Sequence, residues 1–173
     1  MTTRKFDMRF LRGGLCMALL LAVMFFPDAA FSGSRMVKGQ AVYVPAYSQI
    51  YYGDKEHAFD LTVTLSIRNT DTKHAITLVS SVEYYNSEGK RLKNYIDGDT
   101  KIGPMASARY IVNESDQSGG AGASFRVKWK SDADVTEPVI ETVMISTRTQ
   151  QGISFTSRGV VVRENLVDNE HVR

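Results

Sequence analysis

From Ala41 onward, apolar and polar residues alternate with a period of two, which marks strands with one buried face. Phe59, Leu61, Val63, Leu65 and Ile67 fall on one side of the first clear run. Asp60, Thr62, Thr64, Ser66 and Arg68 fall on the other. Asn69-Thr70-Asp71 punctuates a turn. In the next run Ile76, Leu78, Val82 and Tyr84 share a face, with Ser80 between them. Asn86-Ser87-Glu88-Gly89 then reads as a tight turn, with glycine where a positive φ is needed, and 91–96 reads as the returning strand. The strictest alternation sets Ala123, Phe125, Val127 and Trp129 against Ser124, Arg126, Lys128 and Lys130. Weaker strand patterns cover 42–48, 106–113, 138–147 and 152–162.

Two residues qualify this pattern. Pro45 has no N–H for a ladder, which predicts an edge position for the first strand. Gly159 inside the last strand predicts a bulge. No stretch after the N-terminal region keeps a helical period, and no internal repeat is evident. The pattern predicts an all-β protein, an Ig-like antiparallel β-sandwich of about 7–9 strands over residues 41–163. Residues 33–40 read as a flexible lead-in and 164–173 as a charged, fraying tail. The Cys…Trp…Cys framework of antibody domains is missing, so Trp129 is expected to be held by apolar packing.

The first 32 residues have a different character. Arg4, Lys5, Arg9 and Arg12 make a basic start, and Gly13 to Phe26 is an uncharged, mostly apolar run. Pro27 and Asp28 break the run, and Ala30 and Ser32 set small residues at −3 and −1 of a cut before Gly33. This is the layout of a secretory signal peptide, with Met1 or Met8 as its start. The run falls short of the roughly 20 residues that span a membrane. The expected location is therefore the periplasm or the exterior, with no stable membrane anchor after cleavage. Cys16 is the only cysteine and lies in the apolar run, so the exported part is expected to hold no disulfide and no Cys-ligated metal. A lipidated cysteine would need that run before it, but Leu15 precedes Cys16 and most of the run follows.

Removing the leader changes the charge. The formal +2 of the full chain disappears as 21 basic and 19 acidic residues fall to 17 of each. A nucleic-acid-binding domain carries a basic excess, so nucleic acid is excluded as the expected partner.

Four segments carry a resemblance: 41–48 (AVYVPAYS), 61–71 (LTVTLSIRNTD), 114–129 (ESDQSGGAGASFRVKW) and 147–159 (TRTQQGISFTSRG). They resemble a family of exported bacterial proteins catalogued as a domain of unknown function (DUF). Many of its members look like lipoproteins, and the position of Cys16 departs from them. The strand ending in Arg68-Asn69-Thr70 and the Tyr84-Tyr85 turn are also similar to Ig-like domains of bacterial envelope proteins. The resemblance implies a fold and a compartment, and no activity.

Among candidate sites, Arg148, Gln150, Gln151 and Arg158 crowd around Gly152 on a predicted hairpin. Two guanidiniums and two amides suit carboxylates, sugars or backbone carbonyls. These four are the expected ligand- or partner-binding residues, against the alternative that they decorate a wet hairpin face. The 114–122 segment reads as a flexible connection or a ligand loop. It lacks the helix and the Lys-Ser/Thr pair of a phosphate-binding loop. Asp54, Glu56 and His57 match no metal-ligand spacing and read as a solvated loop tip. Tyr43, Tyr47, Tyr51 and Tyr52 cluster near the first strand. Alternation puts Tyr43 and Tyr47 on one face, read as an edge strand packed on the core, with an exposed binding surface as the alternative.

No nucleophile elbow and no convincing acid pair is present, so no catalytic residue, metal or cofactor is expected. The expected function is a non-enzymatic binding or scaffolding module of the cell envelope, its partner an envelope protein or a small polar ligand. The alternative is a small-ligand or glycan binder using the 148–158 hairpin, and a hydrolase comes third.

Overall fold

A strand alone leaves its backbone donors and acceptors bare, so the alternating runs must pair. The computed structural model describes residues 35–147 and 152–164. Among them the chain forms β1 (Met36–Pro45), β2 (Gln49–Tyr52), β3 (His57–Asp60), β4 (Thr62–Arg68), β5 (Ile76–Tyr85), β6 (Arg91–Asn94), β7 (Thr100–Ile102), β8 (Ser107–Val112), β9 (Ser124–Thr136), β10 (Val139–Ser146), β11 (Ile153–Arg158) and β12 (Val160–Glu164). Every pairing is antiparallel. One sheet of six strands runs β12-β1-β9-β5-β6, with β7 also on β5. A second runs β11-β10-β4-β8, and β2 and β3 form a separate hairpin. No helix among the described residues is long and apolar enough to cross a membrane.

The inward faces meet in one core. Leu61, Val63, Leu65 and Ile67 come from the four-strand sheet and its lead-in. Ile76, Leu78, Val82, Phe125, Val127 and Trp129 come from the six-strand sheet, and all ten are 0% exposed. Tyr84 and Tyr95 bring their rings to 5.0 and 5.7 Å from Phe125. Burial pushes the Tyr95 hydroxyl up to about 12, with the nearby Tyr84 adding to the shift, and this hydroxyl donates to the Ile111 carbonyl at 3.1 Å. The expected all-β sandwich and its Trp129 core are observed.

Several expectations need correction. Twelve strands replace the expected 7–9, because two of the long patterns are cut and β2 and β7 fall outside the patterned runs. Leu61 separates β3 from β4 by donating its N–H to Ser48 O (2.9 Å) instead of continuing a ladder. Asp60 is therefore not wet: it is 9% exposed and accepts from the amides of Gln49 (2.9 Å) and Gln117 (3.0 Å). The supposed lead-in contributes Met36–Gln40 to β1, with Val37 and Gln40 buried. Polar Lys38 and Gln40 hid that strand from a hydrophobic pattern. β1 is also not an edge strand, since it lies between β12 and β9. Pro45 is tolerated because it ends β1, beyond Tyr43, where the pairing with β12 stops.

Ser80 is exposed, although its parity puts it inward. The five residues of β5 from Leu78 to Val82 face only three on β9, from Trp129 to Val127. Ser80 bulges out at φ +42. The Asn94 side chain fills the gap, accepting from Val82 N–H (3.0 Å) and donating to Ser80 O (2.9 Å). The Asn86–Gly89 turn forms as expected: Gly89 takes φ +78, and Asn86 Oδ1 accepts the N–H groups of Glu88 and Lys90.

Gly159 is not the expected bulge inside one strand: it lies between β11, which ends at Arg158 in one sheet, and β12, which opens at Val160 in the other. A Cβ there would lie 2.6 Å from Val42 Cγ1 and 3.0 Å from Ile140 O, so only glycine lets the crossing chain come this close.

The turn after β4 is a polar corner. Asn69 Nδ2 donates to the carbonyls of His74 and Gly103, both at 2.9 Å. Asp71 accepts from the N–H groups of His74 (2.8 Å), Lys73 (2.8 Å) and Thr136 (3.2 Å). The His74 N–H, then that of Lys73, hold the Asp71 carboxyl down at about 2.

Two predictions follow from this packing. Trp129→Ala removes a fully buried indole and should cost roughly 3–5 kcal/mol in denaturant melts. The Asp71 pKa is lower in the folded than in the unfolded chain, so its contribution is fully present above the ordinary carboxylate value of 3.8 and is lost as pH falls toward about 2. Melts across that window should show falling stability, and Asp71→Asn should flatten that acid limb.

Candidate functional site

The crossover at Gly159 leaves a cleft of about 250 Å³ beside β1, β10 and the end of β11. Its apolar lining includes Val42, Ile140 and Val161, and its polar lining is Gln40, Glu137 and Arg158. Most ligand pockets exceed about 300 Å³, so this one suits a small molecule or a single side chain.

Gln40 stands in the core register, opposite Trp129 of β9, and is 0% exposed. Its Nε2 donates to Glu137 Oε1 at 2.9 Å, which fixes the carboxylate at the cleft. Its carbonyl oxygen has no hydrogen-bond partner among the described residues. Leaving such an acceptor unfilled costs about 1–3 kcal/mol. Arg158 ends β11 directly opposite Glu141 of β10. Glu141 is engaged by Arg68 at 3.5 Å, and Arg158 is in no ion pair among the described residues. The cleft thus offers an anchored carboxylate over an apolar floor, with Arg158 at its edge.

Of the four residues expected to bind, only Arg158 can be located. Arg148, Gln150 and Gln151 lie outside the described residues. The β10–β11 hairpin itself is present, with Ser146 opposite Ile153 at its turn end. Arg158 lies five residues from Ile153, about 17 Å along the strand. It belongs to the crossover end of the hairpin. Gln40 and Glu137 were missed because nothing local links them: they are 97 residues apart and meet only through the fold.

The other candidates resolve as follows. The 114–122 segment is tied down at several points. Ser87 Oγ donates to Gly119 O (3.0 Å) and accepts from Gly122 N–H (2.8 Å). Ser48 Oγ donates to Gly120 O (3.1 Å), and Gln117 reaches Asp60. Asp54 and Glu56 lie in the exposed β2–β3 turn, and exposed His57 opens β3. Among the described residues, no group of three or more His, Cys, Asp or Glu side chains converges as a metal site. Tyr43, Tyr47, Tyr51 and Tyr52 are 38–58% exposed, so the expected packing of this cluster on the core is corrected. Tyr47 leans on Phe155 (6.0 Å between ring centroids) and Tyr52 on Phe59 (6.3 Å), which leaves much of each ring in solvent.

Two facing antiparallel sheets with a small polar cleft at their crossover make this an all-β sandwich protein. Residues 39–162 match the family described as "Protein of unknown function (DUF3124)", and the chain belongs to that family. The structure described as "Crystal Structure of Thermotoga maritima 1070" also matches, at 13% identity and a TM-score of 0.42, covering 78% of this chain and 100% of that chain. No curated protein matches the sequence.

Proposed function

We propose that the protein is an exported, non-enzymatic binding module of the bacterial cell envelope, and that the crossover cleft takes a small polar ligand or a polar side chain of an envelope partner. The observation that carries this reading is Gln40. An apolar residue would be cheaper in a row shared with Trp129, yet an enclosed amide stands there, holds Glu137 and keeps its carbonyl oxygen unmatched. A binding role accounts for that cost. The complementary ligand carries a hydrogen-bond donor or ammonium toward Glu137 and a carboxylate or hydroxyl toward Arg158. The leader-like first 32 residues support the compartment.

The N-terminus of the exported protein should be Gly33 when sequenced. A retained leader, or a start at a lipidated Cys16, would overturn the soluble envelope assignment.

The cleft is tested by thermal shift of the exported protein against a panel of free amino acids and amino sugars. A member of the panel should raise the melting midpoint saturably, as a ligand preferring the folded state does. Glu137→Gln combined with Arg158→Ala should abolish the shift and leave the ligand-free midpoint nearly unchanged. A shift that survives in the double variant, or no shift across the panel, would remove the cleft as the site.

A further inference from the structure

The outward face of the six-strand sheet is cationic, although charge in the exported part balances overall. β9 is its centre. Phe125, Val127 and Trp129 face the core with 0% exposure, so Arg126, Lys128 and Lys130 face outward. The register adds two more cations. Ala41 of β1 lies opposite Lys128 on one side and Arg163 of β12 on the other. Thr77 of β5 lies opposite Lys130 on one side and Lys101 of β7 on the other. Strands about 4.8 Å apart, with about 6.7 Å between same-face residues, bring these five cations onto a patch roughly 15 to 20 Å across.

Little on the molecule neutralises them. Lys101, Lys128, Lys130 and Arg163 are in no ion pair among the described residues. Glu83 lies opposite Arg126, but its carboxylate is already bonded to Tyr85 (2.8 Å) and Arg91 (3.0 Å). The alternation along β9 continues outward to Asp132 and Asp134, so the acids gather at one end of the patch. Beside Lys101 opens a shallow groove of about 610 Å³, lined also by Lys73, His74, Ser131 and the carboxylate of Asp132.

Apolar residues share the face. Tyr43 lies opposite Arg126 and, on its other side, opposite Val160. Tyr43 is 42% exposed, Val160 60% and the nearby Val162 61%. Charge alone would suit any polyanion. Exposed aromatic and branched side chains beside it gain only where an apolar phase lies behind the anions, and that is a lipid interface.

We propose that this face docks the protein on an anionic membrane surface, with Lys101, Arg126, Lys128, Lys130 and Arg163 against lipid phosphates and Tyr43, Val160 and Val162 at the headgroup boundary. The contact is peripheral and reversible, and it is independent of the crossover cleft.

The test is vesicle flotation of the exported protein, using phosphatidylcholine alone and phosphatidylcholine with about 30 mol% phosphatidylglycerol. The protein should float with the anionic vesicles only and detach as salt rises from about 0.05 M to about 0.5 M. Lys101→Gln, Lys128→Gln and Lys130→Gln together should lower the partition about 100-fold, and the matching three Lys→Arg changes should preserve it. Wild type and variants share one N-terminus, so its contribution cancels. Melting midpoints of the variants should match wild type, and should a Gln variant unfold, the Arg variant against wild type on neutral vesicles still decides. Equal flotation on neutral vesicles, or an unaffected triple Gln variant, would overturn the proposal. So would capture by a single-stranded DNA oligonucleotide or by heparin as tight as capture by anionic vesicles, since the partner would then be a soluble polyanion.

Discussion

The burial of one face of β9 is the constraint on which the rest depends. This strand, the longest among the described residues at 13, pairs with β1 on one side and β5 on the other. Its indole and phenyl groups fill the space between the sheets, and no cross-link among the described residues assists them. A strand has only two faces, so sinking Phe125, Val127 and Trp129 also forces Arg126, Lys128 and Lys130 to the surface. Core and cationic patch are two sides of one alternation. A slip by one residue would put three cations in the core, which is why the register is tightly held.

The interruptions of the sheets are each satisfied by a side chain. Asn94 takes over the backbone groups freed by the bulge at Ser80. Asn69 and Asp71 close the turn after β4 and reach across to Thr136. Ser87 and Ser48 tie the glycine-rich segment that leads into β9. A backbone group left bare in these places would weigh against a fold whose net stability is small, so polar residues stand at each irregularity and apolar ones between them.

The crossover at Gly159 links fold to chemistry. Passing from β11 to β12 moves the chain between sheets and stitches β12 to β1. The close approach that needs glycine also leaves the neighbouring space that Gln40, Glu137 and Arg158 line. The cleft exists because two layers must be joined there, and its polar lining comes from residues on three different strands or strand ends.

The period-two pattern by itself determined the fold class, the identity of the core and the tight turn at Gly89, because burial of one strand face and the φ demand of a turn are local properties. It also marked Arg158, through its guanidinium, and the glycine that follows it. It misread Met36–Gln40, where Gln40 is buried and bonded to a partner far along the chain, and it misread Asp60, which is held by amides from two other segments. Only the tertiary structure brought Gln40 to Glu137, and only the register joined Lys101 and Arg163 to the β9 cations. Strand pairing is non-local: its partners are chosen by the collective filling of the core, and no run of neighbouring residues records that choice.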